Sequence, residues 1–180
     1  FEAKNSINQN IKNYSGRIDM EHPSKWANFS YGVKTTFTKT DSDVAFYNTT
    51  TGTPIFDPTQ SNTFMYSENI NALYADMSKP LSEKWQLKMG LRFENTRTKG
   101  VSKTNNQTDI NSYNKLFPSV FLGYNPSRTN MFNLSYSRRI QRPSFERLNP
   151  FRFYINDNSY SVGNPFLQPS FSDNFEISHL

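Results

Sequence analysis

Cysteine is absent from the 180-residue sequence, which removes disulfide frameworks, thiolate nucleophiles and cysteine-ligated zinc together. Long apolar runs are missing too. Nothing approaches the roughly 18 uninterrupted apolar residues of a membrane-spanning helix, so insertion as a helix is excluded. The two histidines, His22 and His179, have no carboxylates at metal-ligand spacing, so no metal site is expected. There is no glycine-rich phosphate cradle after a strand and no Gly-x-Ser-x-Gly elbow, so no cofactor, catalytic residue or enzymatic activity is expected. Asp41, Asp43 and Asp57 lack the pattern of a helix-loop-helix calcium site and read as parts of a solvated loop. Phe1-Glu2-Ala3 is not a basic region leading into an apolar core, so a signal peptide is expected to lie outside this segment or to have been removed. The net charge of +5 is spread along the chain, which argues against a nucleic-acid partner.

What is present is aromatic. Hydrophobic residues make up only 34% of the chain while aromatics reach 16%, a balance that suits amphipathic strands. From Trp85 to Thr96, Trp85, Leu87, Met89, Leu91 and Phe93 take the odd positions, and Gln86, Lys88, Gly90, Arg92, Glu94 and Thr96 the even ones. A period of two puts one set on each face of a strand. Read as a helix, it would scatter the apolar residues around the axis. The stretch is long for a soluble strand, typically about five or six residues, and matches the roughly 9–11 tilted residues that cross a bilayer.

The same period recurs along the chain. Strands are expected at 12–20 and 28–38, at about 64–77 with its faces unassigned, and at 85–96. Three more are expected at 114–124 (interrupted by Pro118), at 131–140, and from about 170 onward. Short turns fall at 22–25, 78–84 and 125–130. Long polar loops are expected at about 40–63, 97–112 and 141–169. In an up-and-down meander all short turns then lie at one end and all long loops at the other, the asymmetry of outer-membrane barrels. The expected fold is therefore all-β, an antiparallel up-and-down transmembrane β-barrel, incomplete, with about seven strands of a larger barrel.

Leu116-Phe117-Pro118-Ser119, the run Tyr136-Ser137-Arg138-Arg139-Ile140-Gln141-Arg142-Pro143-Ser144-Phe145, Leu148-Asn149-Pro150-Phe151 and Gly163-Asn164-Pro165-Phe166-Leu167 stand in that order. Together with Gly90-Leu91-Arg92-Phe93-Glu94-Asn95-Thr96, they resemble the TonB-dependent outer-membrane receptors of Bacteroidetes type. The resemblance spans the chain from about Tyr66. It implies a barrel of roughly 22 strands around a plug, located in the outer membrane of a Gram-negative bacterium and driving energised uptake of a scarce nutrient. It also implies that residues 1–180 are part of one barrel domain, with the plug and the segment that contacts the TonB-type energy-transducing protein N-terminal to it.

In such a barrel the expected lipid-facing side chains are Trp85, Leu87, Leu91, Phe93 and Leu134, joined by Ile18 and Val33, with Trp85, Phe93, Phe29 and Phe37 near the interfaces as parts of aromatic girdles. Lys88, Arg92, Glu94 and Arg139, with Arg17 and Asp19, are expected to face the lumen and to pair with neighbouring strands or the plug. Arginine interleaved with aromatics favours binding surfaces, so Arg142, Phe145, Arg147, Arg152, Tyr154 and Tyr160 are the candidates for contact with a nutrient ligand. A structural role competes, in which Pro143, Pro150, Gly163 and Pro165 shape the loop and its arginines pair with Glu146 and Asp157. Outer-membrane lipid and lipopolysaccharide phosphates are the other expected partners. Two further readings stay open: a non-energised porin-like or adhesin barrel, and a secreted β-sandwich that binds glycans.

Overall fold

The computed structural model describes residues 3–156 and 159–180. Strands β1 (Ala3–Pro23), β2 (Asn28–Asn48), β3 (Ile55–Pro80), β4 (Trp85–Ser102), β5 (Gln107–Ser127) and β6 (Asn130–Gln141) follow one another. After β6 come a one-turn helix α1 (Phe145–Leu148), a hairpin of β7 (Arg152–Asn156) and β8 (Ser159–Val162), and finally β9 (Ser170–His179). Seven strands form one antiparallel sheet in the order β1-β2-β3-β4-β5-β6-β9, and β7-β8 is a separate two-stranded sheet. The seven-stranded sheet is an open wall whose edges are β1 and β9, as expected for part of a barrel.

The register fixes the faces. Ile18 pairs with Val33, Val33 with Leu73, Leu73 with Phe93 and Phe93 with Leu116, so one apolar row runs unbroken across five strands. Farther along, Leu122 pairs with Leu134 and Leu134 with Ile177. These side chains are not covered: Leu91 is 51% exposed, Ile18 66% and Ile177 81%. A sandwich would bury this face against a second sheet. Here the described buried apolar residues are only Ala27, Phe64, Ala72 and Phe151, so the sandwich reading fails.

Two expected loops are mostly strand. The polar stretches at 40–63 and 97–112 continue the ladder: β2 and β3 pair out to Asn48↔Ile55, and β4 and β5 to Ser102↔Gln107. Polar residues on both faces suit a ladder that leaves the hydrocarbon, because water satisfies either face. The end-to-end asymmetry survives, carried by longer strands as well as by the stretch between β6 and β9. Pro58 is accommodated where the β2–β3 register shifts between Val44 and Phe46, since a bulge needs no ladder donor. Pro118 likewise lies where β5–β6 pairing stops, at Ser119↔Ser137.

The unassigned faces of β3 are now fixed. Leu73, Ala75 and Met77 pair with Phe93, Leu91 and Met89 on the apolar face, while Phe64, Tyr66 and Glu68 lie on the other. Phe64 is buried, so this second face is apolar where the chain between β6 and β9 covers it. That is why alternation fails to show there.

Candidate functional site

The apolar face ends in an aromatic row at the short-turn end. Trp85 stacks on Tyr124 with ring centroids 4.4 Å apart, Tyr124 on Phe132 at 6.3 Å, and Phe132 on the His179 ring at 4.3 Å. Trp26 stacks on Phe29 at 5.9 Å, and Lys79 Nζ sits 3.9 Å over the Trp26 ring. His179 Nε2 lies 3.2 Å from Asn130 Oδ1. Trp85, Leu87, Leu91, Phe93 and Leu134 are therefore all on the exposed apolar face.

The opposite face carries charged residues, and its ion pairs Arg17–Asp19 and Arg92–Glu94 each lie along one strand. Arg17 Nε lies 2.5 Å from Asp19 Oδ2, and Tyr74 donates its hydroxyl proton to Asp19. Arg92 pairs with Glu94 on β4. Lys88 stands 5.7 Å over the Phe121 ring. Residues two apart on a strand share a face, which makes such pairs geometrically natural.

Arg142 begins the segment that joins β6 to β9 and turns inward onto this face. Its Nη2 donates to Glu94 Oε2 at 2.5 Å and to Thr96 Oγ1 at 3.2 Å, and its Nε is 3.9 Å from Glu68 Oε2. Glu94 is 3% exposed and Thr96 fully buried. Burial opposes the Arg142 charge, but the hydrogen bond to Glu94 and the fields of Tyr113 and Glu94 outweigh it, so the pKa lies above the ordinary arginine value. The guanidinium is a permanent clamp between segment and wall.

Beyond Arg142 the segment is tied to itself and to the neighbouring turn. Gly163 N–H donates to Asn149 O at 2.9 Å, and Asn164 N–H to Arg147 O at 2.7 Å. A side-chain carbon at Gly163 would stand 2.5 Å from Asn149 O and 2.6 Å from Arg147 O, so only glycine fits. Asn149 Oδ1 accepts the Phe151 N–H at 3.1 Å, and Asn105 Nδ2 donates to Pro150 O at 3.3 Å. This strap encloses a 190 Å³ cavity against the wall, lined by Phe64, Tyr66, Glu68, Tyr113 and Arg142 from below and by Leu148 and the 165–169 stretch from above.

The six loop candidates separate. Arg142 is committed to Glu94 and Glu68. Arg152 lies 4.9 Å over the Tyr160 ring, and Tyr154 is 5.9 Å from Tyr160, so these three form one exposed cluster on the β7–β8 hairpin. Phe145 and Arg147 stand on α1, outside that stack. Of the two expected partners of the loop arginines, Glu146 forms no ion pair among the described residues, and Asp157 lies outside the described residues. Glu68, Tyr66, Thr96 and Tyr113 were missed as site residues. The one signal was that Tyr66 and Glu68 share parity with Phe64. Arg139 forms no ion pair among the described residues and lines a second, open concavity with Arg92.

Asp41 pairs with Lys39 at 2.9 Å. Asp57, beyond the apolar band, accepts from the Thr59 hydroxyl at 2.6 Å and the Thr59 N–H at 2.8 Å. Those bonds hold its carboxyl below the usual carboxylate pKa.

A sheet with one exposed apolar face, an aromatic row at one end and an arginine-clamped strap on its polar face describes a barrel wall. The outer membrane protein beta-barrel family model matches residues 2–180. The chain belongs to that family. Its fold is the all-β outer-membrane barrel, and the outer membrane is its location. Among curated proteins, none matches significantly. Similar solved structures include the copper transporter OprC, at TM-score 0.75 and 9% identity, covering 97% of this chain and 28% of that one. The ferric yersiniabactin uptake receptor FyuA from Yersinia pestis matches at TM-score 0.64 and 14% identity, over 98% of this chain and 27% of that one. The alcaligin outer-membrane receptor FauA from Bordetella pertussis matches at TM-score 0.60 and 17% identity, again over 98% and 27%. The chain therefore resembles barrels of uptake receptors in fold and spans about a quarter of the length of these three structures.

Proposed function

We propose that residues 1–180 are barrel wall and extracellular strap of a TonB-dependent-type receptor of the Bacteroidetes kind that imports a scarce nutrient. The observation that carries this reading is the strap: Arg142 folds the chain between β6 and β9 onto the polar face through Glu94 and Glu68, which builds a lined cavity on the luminal side of the wall. The likeness of fold to uptake receptors supports it, and the quoted motifs support the Bacteroidetes affiliation. In this reading Trp85, Leu87, Leu91, Phe93 and Leu134 meet lipid, and the aromatic row marks the periplasmic interface. Lys88, Arg92, Glu94 and Arg139 face the lumen and the plug. Arg152, Tyr154 and Tyr160 form the extracellular contact for the nutrient, or for lipopolysaccharide phosphate, and Phe145 and Arg147 flank it. Arg142 acts as a clamp rather than a ligand contact. Energy enters through a TonB-type partner acting on a plug N-terminal to this segment.

The test is growth on limiting nutrient of cells carrying the full-length gene, with and without the energy-transducing partner. Uptake that disappears when the partner is deleted is the expected result. Uptake that persists at the same rate without the partner rejects energised transport in favour of a passive pore.

A further inference from the structure

Positive charge is concentrated at one place on the polar face. An open concavity of 620 Å³ is lined by Arg17, Lys34, Arg92, Arg138, Arg139 and Arg142, against only Asp76 and Glu94. Gly90 lies between Asp76 on β3 and Ser119 on β5 in register, and a side-chain carbon at Gly90 would collide with both.

Most of these cations are committed. Arg92 and Arg142 share Glu94, Arg17 holds Asp19, and Arg138 Nε is 3.9 Å from Asp173 Oδ1. Lys34 and Arg139 form no ion pair among the described residues. The register moreover sets Lys34 directly opposite Arg17. Like charges directly opposite on neighbouring strands repel, and a shared oxyanion between an ammonium and a guanidinium fork turns that repulsion into two charge-assisted hydrogen bonds.

We infer that this concavity is a binding site for a multivalent oxyanion, phosphate- or carboxylate-bearing. Lys34 and Arg139 supply the uncommitted charge, and Arg17 and Arg92 supply guanidinium edges. The inference rests on the proposed receptor reading, in which the polar face lines a lumen, and it adds the charge class of what passes along that wall.

The experiment is isothermal titration calorimetry of the full-length protein in neutral detergent with tripolyphosphate and, separately, citrate. The two probes distinguish phosphate from carboxylate recognition. Saturable binding is expected for at least one of them, weakened about tenfold or more in a Lys34→Gln/Arg139→Gln variant and unchanged in Lys12→Gln, whose side chain lies on the other face. No saturable binding, or binding that the double variant leaves unchanged, overturns the site. Heat-dependent electrophoretic mobility of the same preparation reports the barrel independently. An intact barrel that binds neither anion overturns the anion site alone, and a wild-type protein with no such mobility shift overturns the barrel lumen and the site together.

Discussion

The two halves of β4 follow different rules. On β4, Trp85 to Phe93 alternates apolar and polar residues, whereas Glu94 to Ser102 carries polar or small side chains on both faces, apart from Val101. Yet the ladder to β3 and β5 runs unbroken from one half into the other, out to Ser102. Backbone pairing therefore does not need alternation. Alternation is imposed by hydrocarbon on one face, where unpaired groups and charges are both costly. Above it, the strands are kept together by cross-links at their tips. Lys103 N–H donates to Thr63 O at 3.0 Å, the Thr104 hydroxyl accepts from Thr63 N–H at 3.2 Å, and the strap is pinned through Asn105.

The largest effect is expected in the lower half. Leu91→Arg puts a charge into the middle of the apolar band and should cost about 2–4 kcal/mol, read as a lowered urea midpoint of the full-length protein in liposomes. Arg97→Leu, on the same strand face but above the band, should change the midpoint little. If both substitutions act alike, the two halves are not different environments. Next is Glu94→Gln, which leaves Arg142 and Arg92 sharing a neutral amide. Removing one partner of a buried pair costs several kcal/mol, and the half-open lumen reduces this to about 2 kcal/mol. Combined with Arg142→Gln in a double-mutant cycle, the effects should be clearly non-additive. Additive costs would show that the clamp is not made.

Gly163→Ala forces two carbonyl oxygens apart and should destabilise the strap locally, by about 1–2 kcal/mol. Its readout is faster proteolysis between residues 142 and 169, with the barrel transition unmoved. A shift of the global transition instead would mean that strap and wall unfold together. The smallest effect belongs to Lys39→Ala, which removes an exposed pair with Asp41 and should change stability by about 0.5 kcal/mol or less.

The lower half was legible because its physics is written in the period. Trp85, Leu87, Leu91 and Phe93 follow one parity on β4, as Phe132 and Leu134 do on β6, and the register sets them on one face. The upper half was not. Thr, Asn, Asp and Pro58 between 40 and 63 carry the same signals as a loop, and a ladder solvated on both faces leaves no alternation to read. β3 failed for a different reason. Phe64 and Tyr66 are apolar on the polar face because the strap covers them, and coverage by a distant segment has no local signature. Similarly, Arg142 stood out by composition, but its partners Glu94 and Glu68 lie 48 residues away and farther along the chain. Composition suggested a ligand contact where register builds a clamp.

The most direct test is an accessibility scan of β4 in the full-length protein reconstituted in lipid vesicles. Single cysteines from Trp85 to Ser102 would be spin-labelled and their collision rates with oxygen and with a water-soluble nickel chelate compared. Oxygen should dominate at 85, 87, 89, 91 and 93 and nickel at the residues between, with the oscillation ending after Phe93 although the strand continues to Ser102. Nickel access at every position, or an oscillation that persists to Ser102, would contradict a wall whose lower half alone is immersed in hydrocarbon.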